Sequence, residues 1–212
     1  MAKWKGFMQE VFSLARAELG RAGFKPRMHE IYTRALDADA VGWVGLNDAF
    51  DRSARVMRIN PVIGVRYQPV ERLVAEMCGL KFHAYVPPTV TRPLGYLTPE
   101  DTYRTWDFQE GEELHGVAAS MARAITDYGL PFMTAHTAPE ALAAALRERR
   151  FQVGEQAEYR IPALLYLLGR TDEAEAYLRE RLAALSGADY PAADFYRAFA
   201  RALLDLITRS SS

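Results

Sequence analysis

Residues 55–67, with the sequence RVMRINPVIGVRY, decide the fold class of this chain. Apolar side chains occupy mainly the odd positions, among them Met57, Ile59 and Val65, and the even positions are mostly polar or glycine. This period of two is typical of a β-strand with one face on a hydrophobic core. Pro61 cannot donate a backbone hydrogen bond, so the pattern predicts a strand that lies at a sheet edge or is bulged at this residue.

The sequence on both sides of this strand predicts a small sheet next to two helices. Residues 28–36 and 41–48 are strand-like, and their short connections predict an antiparallel meander. Residues 3–21 before them have the apolar spacing of an amphipathic helix, and residues 68–78 form a second predicted helix. The proline-rich residues 81–108 are predicted to extend the sheet or to form a hairpin over its edge.

From about residue 110 the sequence is predominantly helical. Predicted helices cover 111–129, 155–168, 172–185 and 191–207. The expected fold class is therefore α+β, with an N-terminal helix, an antiparallel meander sheet and a C-terminal all-helical layer.

The expected domain organisation follows from the same change in pattern. Residues 1–150 are predicted to form an α+β domain, and residues 151–208 a helical hairpin plus a terminal helix that packs on the same core. The stretch 157–186 resembles one tetratricopeptide helix–turn–helix unit, but arrays of such units need about three repeats for stability. A hairpin is therefore expected here, and residues 209–212 are expected to be a disordered tail.

Composition argues against several functional classes. The formal net charge is −1, which does not favour binding to nucleic acid or to an anionic membrane surface. No apolar run reaches the 18 residues of a membrane span, and no signal peptide is recognised, so a cytoplasmic protein is expected. Cys78 is the single cysteine, which excludes an internal disulfide and a cysteine metal cluster.

No short catalytic motif is present. The phosphate-binding loops GxGxxG and GxxxxGK[ST], the nucleophile motif GxSxG, and the motifs CxxC and HExxH are all missing. Glu112 and His115 have the spacing of a di-iron ligand pair, but one such pair at a helix start is better explained by the helix dipole. We therefore expect no catalytic residues, no cofactor and no metal, and the sequence favours a binding protein over an enzyme.

The first candidate site is the polar face of the predicted sheet. Its expected partner-binding residues are Trp43, Asn47, Arg58, Asn60 and Arg66. If the polar sides of the strands coincide, the first strand adds Glu30, Tyr32 and Arg34. Arginine and tryptophan are enriched at binding hot spots, so this face is a candidate surface for a protein partner. An ordinary solvated or covered sheet face is the alternative, and a slip of one residue in strand register would reverse the assignment.

Two other functions remain open at this stage. A small-ligand binder, or an enzyme without a short motif, would use a pocket near residues 81–108, lined by His83, Tyr96, Tyr103 and Trp106. A purely structural role would instead pair the C-terminal helices of two chains.

The order of features resembles an uncharacterised bacterial family, a domain of unknown function found in short α+β proteins. Its pattern joins an R-x-x-G-x-L stretch to a tryptophan-bearing strand and then to a helix that ends in Leu-Pro. The corresponding residues here are Arg92, Gly95, Leu97, Trp106 and Leu130-Pro131, within residues 7–150. The resemblance implies no catalytic residues, and it implies by analogy an immunity-type or partner-binding role.

Overall fold

The structure, a computed structural model, describes residues 2–28, 30–148 and 156–210. It confirms the α+β class: an N-terminal helix is followed by an antiparallel sheet and then by C-terminal helices. The chain divides into two compact units. Unit 1 comprises Met1–Val65 and Thr91–Ala135, and unit 2 comprises Arg66–Val90 and His136–Ser212.

The sheet contains six strands within the described residues. Their bounds are β1 Lys25–Pro26, β2 Ile31–Ala35, β3 Ala40–Asp51, β4 Val56–Tyr67, β5 Val90–Pro93 and β6 Trp106–Gln109. The strand order is β1-β2-β3-β4-β5, and β6 pairs with β4. Strand β1 pairs with β2, β2 with β3, and β4 with β6, all in antiparallel orientation. The short connection between β2 and β3 predicts their pairing.

Strand β4 lies inside the sheet, so of the two alternatives predicted from Pro61 the edge position is wrong and the bulge stays a prediction. The pairing with β6 runs from Val56 to Ile59 and stops before Pro61. The missing N–H of the proline therefore costs no hydrogen bond in this ladder. Most of β4 is buried, including Asn60 and Arg66 on its polar side.

Helix α1, Ala2–Arg21, supplies one layer of the core of unit 1. Its buried residues recur every three or four positions: Phe7, Val11, Ala15 and Leu19. This face packs against helix α3, Leu114–Ala124, which also contacts β6. A π-helical turn at Ile125–Gly129 and helix α4, Leu130–Ala135, continue from α3 where the sequence predicted only an interruption.

The prediction of regular strands from residue 81 onward is wrong for its first part. Residues 81–89 form no strand, the chain pairs only from Val90, and a short 3₁₀ helix follows at Leu94–Leu97. The alternation in KFHAYV is strand-like, but two prolines follow it, and backbone carbonyls of this loop bind a buried arginine instead of a neighbouring strand.

Gly95 allows a close approach of two backbone segments in unit 1. A Cβ atom at this position would overlap the carbonyl oxygen of Thr102 and lie 2.8 Å from the amide nitrogen of Arg104. Both are backbone atoms that cannot rotate away. Gly95→Ala is expected to lower the free energy of unfolding by roughly 1–3 kcal/mol, measured by urea denaturation.

The matched control for this substitution is Gly6→Ala in helix α1. Among the described residues, no heavy atom other than those of its chain neighbours and its own helix backbone lies within 4 Å of the added Cβ there, so alanine is expected to stabilise the protein by about 0.5–1 kcal/mol. Equal effects at the two positions would contradict the steric explanation for Gly95.

Unit 2 is built from five helices among its described residues. They are α2 Gln68–Met77, α5 Pro139–Arg147, α6 Gln156–Leu167, α7 Thr171–Ala184 and α8 Pro191–Ser210. Helix α2 packs against α6 and α8, and α6 and α7 form the predicted hairpin. Arg209 and Ser210 belong to α8, so the predicted tail is wrong for these two residues; residues 211–212 lie outside the described part. The boundary predicted at residue 150 falls in the undescribed stretch 149–155 and stays a prediction.

Candidate functional site

A cavity of about 300 Å³ lies within unit 2. Helix α2 and the loop after it provide its apolar residues, which are Val74, Ala75, Cys78, Leu80, Val86 and Pro87. Its polar residues are Arg66, Glu71, Lys81, His83, Gln156 and Arg160. A mostly apolar lining with a few convergent polar groups is the usual composition of a small-molecule site.

Three of the charged residues that line this cavity are buried: Arg66, Glu71 and Arg160. Glu71, on the first turn of α2, accepts a hydrogen bond from Arg160 Nη2 at Oε2, 3.2 Å, and its Oε1 forms an ion pair with Arg160 Nε at 2.7 Å. The Thr89 hydroxyl donates to the same carboxylate at 2.7 Å. Arg66 Nη1 lies 3.4 Å from Glu71 Oε2. We call Arg66, Glu71, Arg160 and Thr89 the arginine cluster.

Arg66 holds the loop after α2 in place. Its Nη1 donates to the carbonyl of Pro87 and its Nη2 to the carbonyl of His83. The guanidinium also lies over the ring of Phe82, with the central carbon 5.3 Å from the ring centroid. These contacts explain why the loop is irregular: its carbonyls point to a guanidinium and not to a β-strand.

The arginine cluster has one positive charge in excess within the part of the chain that the structure describes. Arg66 is only 1% exposed, and burial lowers the pKa of its guanidinium to about 10; the nearby Glu71 opposes this shift and Arg160 adds to it. Arg66 Nε has no hydrogen-bond partner among the described residues. An unpaired buried donor costs roughly 1–3 kcal/mol. The site is therefore one acceptor and one negative charge short of balance.

Aromatic side chains of α6 and α8 form the other wall of the cavity. Tyr159 and Phe195 line it, and their ring centroids are 6.0 Å apart. Behind them, Tyr159 contacts Tyr196 and Phe199 at centroid distances of 5.2 and 4.9 Å. The fully buried Phe199 thus supports the wall, whereas Phe195, 42% exposed, lies at the surface.

Cys78 lies at the cavity and is a weak nucleophile. Burial raises the pKa of its thiol to about 11, so little thiolate exists at neutral pH. Alkylation by N-ethylmaleimide at pH 8 is expected to be about two orders of magnitude slower than for an unshifted thiol, and to accelerate up to about pH 11. Because Cys78 is the single cysteine, mass spectrometry reads this rate directly. A rate equal to that of the urea-unfolded chain would contradict the shift.

The structure separates the residues expected on the polar sheet face. Arg66 belongs to the arginine cluster and Asn60, 9% exposed, donates to the Arg104 carbonyl at 2.7 Å, so neither is open to a partner. Arg58 forms ion pairs with Asp107, Nε–Oδ2 3.4 Å, and with Asp51, Nη1–Oδ2 3.6 Å. Trp43 is half-buried, and Asn47 is exposed.

The strand register also corrects the expected composition of this face. Thr33 lies opposite Trp43, and Tyr32 lies opposite Val44. Directly opposite residues share a face of the sheet. Tyr32 and Arg34 therefore lie on the opposite face of the sheet from Trp43. A shift of one residue from the expected strand register accounts for this difference.

The four residues expected at a pocket near 81–108 have different surroundings. His83 lines the cavity of unit 2. Tyr96, Tyr103 and Trp106 belong to unit 1 and do not line it. Tyr96 and Tyr103 are exposed, and Trp106 is buried on β6 with the guanidinium of Arg104 4.7 Å from its ring.

Sequence reasoning did not assign Glu71 or Arg160 to a site. Arg160 begins the apolar run RIPALLYLL, and a charged residue in such a run is the signal that could have marked it as buried. Glu71 gave a weaker signal because an acidic residue in the first turn of a helix is common.

The comparisons with known proteins add no assignment: no protein-family model, no curated protein and no solved structure matches this chain. The resemblance to a bacterial family of short α+β proteins stays a prediction. Among the described helices, none combines the length and the apolar character needed to cross a lipid bilayer. The described residues also contain no group of three or more His, Cys, Asp or Glu that could hold a metal ion.

Proposed function

We propose that this protein binds a small organic molecule in the cavity of unit 2. The observation that carries the proposal is the combination of an apolar cavity of about 300 Å³ with a buried arginine cluster that lacks one hydrogen-bond acceptor. Folding alone does not require an excess charge beside a cavity, since an apolar replacement of a buried ion pair is often equally stable. A bound anion would supply the missing negative charge.

Cys78 provides a test of occupancy in the unmodified chain. The probes are octanamide, octanoate, phenylacetamide and phenylacetate, which form two pairs that differ in charge but hardly in shape. Any of them that occupies the cavity is expected to slow the alkylation of Cys78 in a saturable way. Unchanged alkylation rates with all four probes would overturn the proposal.

A second test uses variants on one helix. Ala75→Phe places a ring in the cavity and is expected to abolish binding of the probes, read by saturation-transfer NMR on the probe. The control is Glu76→Phe, whose residue is exposed on α2 and does not line the cavity. Equal binding by both variants would place the probe elsewhere.

A second candidate function is binding of a protein partner through the sheet, as the sequence suggested. Its remaining support is the exposure of Asn47 and the partial exposure of Trp43 and Arg58. Trp43→Ala and Arg58→Ala are expected to weaken such binding, whereas a variant of the buried Arg66 would act only through folding. Unchanged binding of an isolated partner to both exposed-site variants would remove this candidate.

A further inference from the structure

We infer that the ligand of the cavity is a small monocarboxylate with an apolar body, its carboxylate beside Arg66 and its body against the apolar wall. This inference rests on the proposed function and names the chemical class of the ligand.

The charge of the arginine cluster favours an anion. Two buried guanidinium groups, Arg66 and Arg160, contact a single carboxylate, Glu71, among the described residues. Arg160 takes both oxygens of Glu71 at 2.7 and 3.2 Å, while the nearest approach of Arg66 is 3.4 Å. Glu71 therefore mainly neutralises Arg160, and the charge of Arg66 remains to be compensated. A guanidinium is also the side chain whose geometry best matches a carboxylate.

Donors at the cavity can hold the two oxygens of a carboxylate. Arg66 lines the cavity and brings its positive charge there, but its Nε–H is buried, so the donors that can contact the oxygens are those of His83 and Lys81. His83 Nδ1 accepts from the Tyr85 backbone amide at 3.2 Å, which places the proton of the neutral ring on Nε2 and makes that atom a donor. Lys81 adds an exposed ammonium group to the lining.

The size and lining of the cavity limit the charge and shape of the anion. One excess positive charge in the arginine cluster is balanced by a monoanion, whereas the second charge of a dianion would have only the exposed Lys81 as its counter-charge. The volume of about 300 Å³ is at the lower end for small-molecule sites, and most of the lining is apolar. A short aliphatic or aromatic carboxylate has the single negative charge, the small volume and the apolar body that this cavity requires.

The decisive experiment compares probes with similar alkyl chains and different head groups on the unmodified chain. Isothermal titration calorimetry with octanoate, octanamide and octyl phosphate is expected to show octanoate binding at least about tenfold more tightly than octanamide, and more tightly than the dianionic octyl phosphate. Equal or tighter binding of octanamide would overturn the anion assignment while leaving the proposed function intact. Tighter binding of octyl phosphate would overturn the monoanion assignment. Failure of all three probes to bind would count against the proposed function itself.

A pair of variants assigns the anion contact to Arg66. Arg66 and Arg72 both lie over the ring of Phe82, at 5.3 and 4.4 Å, but only Arg66 lines the cavity. Arg66→Met is expected to lower octanoate affinity at least about tenfold more than octanamide affinity, and Arg72→Met is expected to change neither; an equal loss for both probes would mean that Arg66 acts only by holding the loop in place. Loss of octanoate affinity in both variants, or in neither, would contradict the assignment. Should Arg66→Met fail to fold, the comparison of probes on the unmodified chain still decides.

Discussion

Replacing Glu71 with alanine is expected to lower the free energy of unfolding by about 3–5 kcal/mol. Glu71 is the carboxylate that both Arg66 and Arg160 approach, and the three side chains are buried. Removing it leaves two uncompensated guanidinium groups and takes from Thr89 the acceptor of its 2.7 Å hydrogen bond. Urea denaturation without any ligand measures the loss.

Two further variants of α2 serve as controls for the loss of stability in Glu71→Ala. Glu71→Gln keeps a carbonyl oxygen that can accept from Thr89 and Arg160, so its loss is expected to be smaller than that of Glu71→Ala. Glu76→Ala removes an exposed carboxylate from α2 and is expected to change stability by no more than about 0.5 kcal/mol. If Glu71→Ala cost as little as Glu76→Ala, the arginine cluster would not stabilise unit 2.

The architecture followed from the sequence where side-chain periodicity was strong. The apolar positions of α1 report which side of the helix faces the core, and the alternation in β4 predicts a strand. The structure confirms both elements, although β4 is mostly buried on both faces and not on one as predicted. Loop 81–89 shows the limit of that reasoning. Alternation in KFHAYV predicted a strand, but backbone carbonyls of the loop accept hydrogen bonds from the side chain of Arg66. A local sequence pattern does not indicate such a contact, because Arg66 is distant from the loop in the chain.

The arginine cluster could not be assembled from sequence because its members are far apart in the chain. Arg160 is 89 residues from Glu71, and their contact depends on the packing of α6 against α2. Arg66 was assigned to an open sheet face because it continues the polar positions of β4. The alternation of a strand states which side a residue occupies, but it does not state what covers that side.

Replacing Phe199 with alanine is the second substitution with a large expected effect, a loss of about 3–5 kcal/mol in the free energy of unfolding. Phe199 lies on α8 and its side chain is fully buried. Its ring centroid is 4.9 Å from that of Tyr159 and 5.8 Å from that of Tyr196. Alanine would leave a cavity behind Tyr159 and remove these ring contacts. Thermal and urea denaturation measure the loss.

Phe195→Ala, one turn away on the same helix, is expected to have a small effect on stability and a measurable effect on ligand binding. Phe195 is 42% exposed, so its replacement is expected to cost less than about 1.5 kcal/mol of stability. It lines the cavity, however, and losing its ring is expected to weaken octanoate binding roughly three- to tenfold. A variant of Phe195 with unchanged octanoate affinity would show that the aromatic wall does not contact the ligand. A large loss of stability in Phe195→Ala together with none in Phe199→Ala would contradict the roles that burial assigns to the two rings. Only a ring that is removed from water on folding contributes its transfer free energy to the folded state.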